Sequence, residues 1–186
     1  MTVFMLHGGQ SGVDSPSNTA FFREMTKGAV QPIKILLIPF ARTESEWNQR
    51  ADRHIELLKR ANNGLTLEIT VAEEASLADQ VSRASIVYIL GGDTAKLITA
   101  LRAVPNITEL LKSKTLAGSS AGAYALVKYY WENDTSELGE GLGMLNVKAF
   151  AHFSPRSMSD YEALAQHKEN LPIIALPEGE WVKIEV

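Results

Sequence analysis

The chain of 186 residues contains no cysteine. That excludes disulfides, thiolate metal sites and a cysteine nucleophile together. A basic stripe is missing too. Lys and Arg are scattered through a chain of net charge -4, so nucleic acid is not an expected partner. No apolar run reaches membrane-spanning length, and there is no repeat, low-complexity tract or long linker. The opening "MTVFMLHGGQ" has no charged n-region, and its apolar stretch is too short for a signal peptide. It reads as a first strand. These absences suit a cytoplasmic protein without membrane attachment. No His/Asp/Glu cluster has ligand spacing, so neither a metal nor another cofactor is expected.

What is present is a hydrophobic fraction of 45%, enough for a buried core. The length suits one domain over residues 1–186. Strand-like and helix-like segments alternate. "IKILLI" (33–38) and "IVYIL" (86–90) are nearly all apolar, as expected of strands covered on both faces. "LTLEITV" (65–71) alternates, which predicts a strand with one wetter face. Between them, Trp47, Ala51, Ile55 and Leu58 share one helical face behind a Thr43/Glu46 capping box. Further helices are predicted over 17–27, over 76–84 and around Leu97–Val104. A short strand is predicted from Thr115, with a helix from about Ser120. "WENDTSELGEG" (131–141) reads as a mobile loop. The pattern predicts an α/β fold, a mostly parallel sheet with helices on both faces in three layers. Ligands then bind beyond the carboxyl ends of the strands.

One of those strand ends carries "LAGSSAGAYAL" (116–126). A serine hydroxyl needs exposure, rigidity and a base to act as nucleophile. A sharp strand-to-helix turn gives exposure and needs small neighbours, in the pattern G-x-S-x-G. Only Gly118, Ser119, Ser120, Ala121, Gly122 fits, which selects Ser120 and leaves Ser119 as spacer. The competing reading is an ordinary Gly/Ser turn that caps a helix. An oxyanion would be held by the N–H of Ala121 and by that of Gly92, in the "GGD" after a buried strand. Asp93 or Thr94 also suits a plain helix cap there.

These stretches together resemble a known family. "GSSAGA" preceded by "ILGGDTAKL", then "ENDT" (132–135), "AHFSP" (151–155) and "ALPEGEWV" (175–182) follow in the order of the aspartyl dipeptidase (peptidase E) family of serine peptidases, whose relatives include cyanophycinase. The resemblance runs from Ile38 to Trp181. It implies an architecture like that of class I glutamine amidotransferases and a serine peptidase acting on short peptides.

The chain has four histidines. His54 and His167 fall in helices and read as packing or surface residues. His7, before Gly8 and Gly9, is a rival site residue, as in the His-Gly-Gly oxyanion loop of lipases, but a strand-end turn is the favoured reading. The resemblance selects His152 as general base. Two acids compete to orient it, Glu178 beyond the apolar run "IIAL" and Asp134. The family's Ser-His-Glu preference and rigid placement favour Glu178, with Asp134 as second choice, lining the substrate pocket. Arg156 is the nearest basic residue for reading an N-terminal aspartate, and Asp93 is a further candidate for substrate contact. The interval between His152 and Glu178 is shorter than in peptidase E, which leaves aspartate specificity open. The expected partner is a small peptide, and the expected assembly a monomer or homodimer. The competing functions are a binding protein that has lost turnover and a glutamine-amidotransferase-like domain. The latter requires the cysteine this chain lacks.

Overall fold

The computed structural model describes residues 1–186. Its elements are β1 (Val3–His7), α1 (Pro16–Thr26), β2 (Ile33–Ile38), α2 (Glu44–Ala61), β3 (Leu67–Val71), α3 (Leu77–Arg83), β4 (Ile86–Ile89), α4 (Thr94–Arg102), α5 (Ile107–Leu111), β5 (Thr115–Ser119) and α6 (Ala121–Leu126), followed by β6 (Val127–Glu132), β7 (Glu137–Glu140), β8 (Leu145–Ala151), α7 (Met158–Gln166), β9 (Ile173–Leu176) and β10 (Trp181–Glu185). The main sheet has the order β10-β1-β5-β4-β2-β3. All its strands are parallel except β10, which runs antiparallel to β1.

Alternation along these strands explains the layers. Phe4, Leu6, Leu36, Ile38, Val87 and Ile89 point to one face, where α3, α4, α5 and α6 pack. Met5, Ile35, Leu37, Ile86 and Tyr88 point to the other, against α1 and α2. Both faces are dry, so β2 and β4 must be apolar at nearly every position. This is the mixed α/β architecture, with mostly parallel strands flanked by helices, that the alternating pattern predicts.

The region after the elbow departs from expectation. Helix α6 is only six residues long and runs straight into β6. β6, β7, β8 and β9 form a second sheet in the order β7-β6-β8-β9. The "WENDTSELGEG" segment is therefore a hairpin, with β6 and β7 antiparallel around a turn that carries Asp134. The physical reason is side-chain shape. Val127, Tyr129, Tyr130 and Trp131 suit a pleated sheet better than a helix. Tyr129 and Trp131 pack with Phe150 and Leu164 in a small core of their own, beneath α7. No helix is long and apolar enough to cross a membrane.

Candidate active site

The turn from β5 into α6 is built around Ser120. Its φ of 52° and ψ of −115° are a backbone conformation that L residues rarely adopt. The surrounding small residues make it possible. A Cβ on Gly118 would strike the backbone of Gly122, and one on Gly122 would strike the carbonyl of Ile89. Ser119 is buried, whereas Ser120 is partly open to the cleft. The local G-x-S-x-G spacing thus selects the serine that the fold presents.

His152 follows the last residue of β8 and itself sits at φ 55°. Its Nε2 lies 2.9 Å from Ser120 Oγ, and its Nδ1 lies 3.0 Å from Glu178 Oε1. Strand pairing accounts for the second contact. β8 and β9 are parallel with Ala151 opposite Leu176, so the residues just beyond each strand emerge together. Glu178 is about half exposed, at 49% of its side chain, so solvent screens its charge. Asp134 sits elsewhere, exposed on the hairpin turn, where it lines the cleft without touching His152. Of the two competing acids, the fold brings Glu178 to the imidazole.

The stretch that carries Asp134 still serves the histidine. Asn133 Nδ2 donates to the carbonyl of Ala151 (2.8 Å) and to the Tyr124 hydroxyl (3.2 Å). The same hydroxyl accepts the Ala151 N–H at 2.9 Å. Tyr124 and Asn133 therefore pin the residue before His152, and burial pushes the Tyr124 phenol up from its ordinary value. Neither role is legible in the sequence, although Asn133 lies in the "ENDT" stretch beside Asp134.

A cleft of about 1020 Å³ opens over Ser120 and His152. Gly91 and Gly92 form one edge. A Cβ on Gly91 would come 3.2 Å from Ser120 Cβ, and one on Gly92 would strike the carbonyl of Ala41. As first residue of α6, Ala121 has no helical acceptor for its N–H. Asp93 caps α4 through Lys96 N at 2.9 Å and also lines the cleft.

Charges of both signs line the cleft, with Glu46 beside the arginines of α2 and Lys96 on α4. Arg42 follows β2, and Arg50 and Arg53 lie on α2. Glu132, Asp134 and Glu137 come from the β6–β7 hairpin, with Asp93 at the start of α4. Arg42 Nε donates to the Gly91 carbonyl at 3.2 Å, which holds the guanidinium beside the elbow. Burial pushes the Glu132 carboxyl above its ordinary value. The buried Thr94 hydroxyl makes no well-formed hydrogen bond, and its loose approach to Glu132 offsets only part of that burial. Arg156 is exposed on the turn before α7 and is not among the residues lining the cleft. The cations lining the cleft are instead Arg42, Arg50, Arg53 and Lys96, and no local motif marks the three arginines. No three His, Asp or Glu side chains converge as metal ligands.

The family model of peptidase family S51 matches residues 4–186. The fold is similar to that of a peptidase from an acI-B1 Actinobacterium, with a TM-score of 0.71 at 20% identity over 99% of this chain and 83% of that one. It is also similar to a protein of Listeria monocytogenes EGD-e provisionally described as a peptidase E, with a TM-score of 0.69 at 15% identity over 99% of this chain and 94% of that one. No curated protein matches the chain by sequence.

Proposed function

Because the chain belongs to peptidase family S51 and is a serine peptidase, we propose that it hydrolyses short peptides with a Ser120–His152–Glu178 triad. The observation that carries this reading is the unbroken chain of contacts, 2.9 Å from Ser120 Oγ to His152 Nε2 and 3.0 Å from His152 Nδ1 to Glu178 Oε1. Both distances lie within hydrogen-bond reach, about 2.6–3.2 Å.

In this mechanism His152 carries its proton on Nδ1, donated to Glu178, which leaves Nε2 free to accept. Ser120 Oγ attacks the scissile carbonyl as its proton passes to Nε2. The N–H groups of Ala121 and Gly92 receive the oxyanion. The intermediate collapses, His152 returns the proton to the leaving amine, and the acyl-enzyme remains. Water, activated by the same Nε2, releases the acid product. Glu178 fixes the imidazole tautomer and balances the imidazolium while it lasts.

The charge around the cleft supports a small, zwitterionic substrate. Glu132, with Asp93, Asp134 and the Thr94 hydroxyl nearby, offers a seat for an α-ammonium group. Arg42 offers one for a carboxylate, either the carboxyl terminus of a dipeptide or an aspartate side chain. An internal segment of a long chain has neither terminal charge, so this arrangement favours dipeptides and similarly short peptides.

A fluorophosphonate probe and a dipeptide panel test the reading. Phosphonylation should map to Ser120, and dipeptides with free amino termini should be cleaved in preference to their N-acetyl forms. Labelling elsewhere would overturn the triad, whereas equal cleavage of acetylated peptides would overturn the substrate class alone.

A further inference from the structure

The turn that follows β1, His7-Gly8-Gly9-Gln10, takes no part in the chemistry, yet it touches every segment that carries the triad. The His7 carbonyl accepts the Ser120 N–H at 3.0 Å. The Gly8 carbonyl accepts the His152 N–H at 2.8 Å, and the Gly8 N–H donates to the Glu180 carbonyl at 2.9 Å. The Gly9 carbonyl accepts the Gly179 N–H at 3.0 Å. Beyond them the Gln10 side-chain amide donates to Glu178 Oε2, the carboxylate oxygen that His152 does not use.

The turn is itself held from below. His7 is fully buried, and Asn18 donates both amide protons, to the carbonyls of Gln10 (2.9 Å) and Val13 (2.7 Å). Its Oδ1 must then accept, so His7 carries its proton on Nε2 and donates it at 2.8 Å. That leaves His7 Nδ1 to accept the Gly9 N–H at 3.1 Å. On the far side, the Tyr88 hydroxyl donates to Ser11 Oγ at 2.8 Å, within reach of the buried His54. Gln10 is thereby kept at φ 59°, an otherwise unfavourable conformation for a residue with a Cβ.

We propose that Gln10 is the positioning residue for the triad acid. It holds one oxygen of Glu178 so that the other faces His152 Nδ1, and the locked His7–Gly9 turn fixes where Gln10 stands. The need is physical. Glu178 lies on a half-exposed turn, where a free carboxylate samples several rotamers. A donor on its outer oxygen selects one of them. This inference rests on the triad proposed above.

The test uses Gln10→Met, which keeps an unbranched side chain and removes the donor. Gln10 is exposed, so the variant should melt like the parent. The readout is the rate of Ser120 phosphonylation by a fluorophosphonate, together with the downfield proton resonance of His152 Nδ1–H. Gln10→Met should slow labelling about ten- to a hundredfold, the scale of a small misplacement, and should shift or broaden the resonance. In a Glu178→Gln background the same change should add nothing, because Gln10 acts only through Glu178. A wild-type rate in Gln10→Met, or an equal loss in both backgrounds, would overturn the proposal. If Glu178→Gln alone leaves the rate unchanged, it is the triad that fails, a separate result.

Discussion

The imidazole of His152 lies directly on the backbone of Gly9. A Cβ built at position 9 would overlap the ring at Cε1, Nδ1 and Nε2. Gly9 has a φ of 124°, so both its conformation and its lack of a side chain are used. Gly9→Ala should therefore drive the ring away from Ser120. We expect the labelling rate to fall by about a hundredfold or more, with a stability cost of about 1–3 kcal/mol from the strained backbone. Chemical denaturation and phosphonylation on one preparation measure both, and a wild-type labelling rate would show that the ring position does not depend on this contact.

The elbow makes its own prediction. Ser120→Ala should abolish peptidase activity, since losing a serine nucleophile can cost about six orders of magnitude in turnover. Ser119→Ala should have little effect, because that side chain, although it borders the cleft, is buried and makes no hydrogen bond to His152 or Glu178. Peptidase assays of the two purified variants decide between the serines. The reverse result would move the nucleophile one residue towards the strand.

For the acids, Glu178→Gln should retain the shape of the site and lose its charge. By analogy with the Asp-to-Asn change in a serine protease triad, turnover should drop by up to about four orders of magnitude. The smaller end of that range suits a half-exposed carboxylate. Asp134→Asn should leave turnover near the parent and act on KM alone. Steady-state kinetics of the two variants would require exchanging the roles if Asp134→Asn gave the larger fall in turnover.

Parts of this site were legible in the sequence because their causes are local. Gly118 and Gly122 must be small to let β5 fold back into α6, so the spacing around Ser120 is visible within five residues. β2 and β4 were legible for a similar reason, since burial on both faces leaves a run of apolar side chains. The β6–β7 hairpin was not. β7 lies at the edge of its sheet, so "ELGE" is as polar as a loop. The choice between Glu178 and Asp134 depended on which strand lies beside β8, a fact of pairing rather than of sequence distance. Gln10, Gly9 and Arg42 meet the site only through contacts across the fold, and the residues around them carry no pattern that declares it.

Stability should depend on pH chiefly through two buried histidines, with His167, also held low by desolvation, adding in the same direction. His7 and His54 are buried, and desolvation holds both below the ordinary value of 6.5. The unfolded chain therefore takes up protons that the folded chain resists. Their stabilising contribution is complete above pH 6.5 and is lost as pH falls below it. Each contributes up to about 1.4 kcal/mol per pH unit in that window. Protonating His7 would also set an N–H on Nδ1 against the Gly9 N–H. Urea midpoints at about pH 7.5 and about pH 5.5 should differ accordingly, measured in a Glu132→Gln background because the raised Glu132 carboxyl would oppose the histidines as pH falls. Equal midpoints would mean that these histidines ionise as easily in the fold as outside it.

The two terminal charges of a dipeptide separate the roles of Glu132 and Arg42. If Glu132 receives the α-ammonium group, Glu132→Gln should raise KM for a free dipeptide. It should do little for the N-acetyl form, which has no charge to place there. Burial of Glu132 makes the effect larger than at a solvated acid, because an ammonium beside it relieves an unfavourable desolvation. If Arg42 receives a carboxylate, Arg42→Lys should weaken binding by removing a planar, two-pronged donor while keeping the charge. That change should matter for a dipeptide acid and not for the corresponding dipeptide amide. Arg42 also holds the Gly91 carbonyl, so the amide serves as an internal control. Loss of activity on acid and amide alike would mean that the arginine supports the Gly91–Gly92 edge instead of reading the substrate. A KM increase confined to the acid, paired with a Glu132→Gln effect confined to the free amine, would fix the direction in which a dipeptide lies across Ser120.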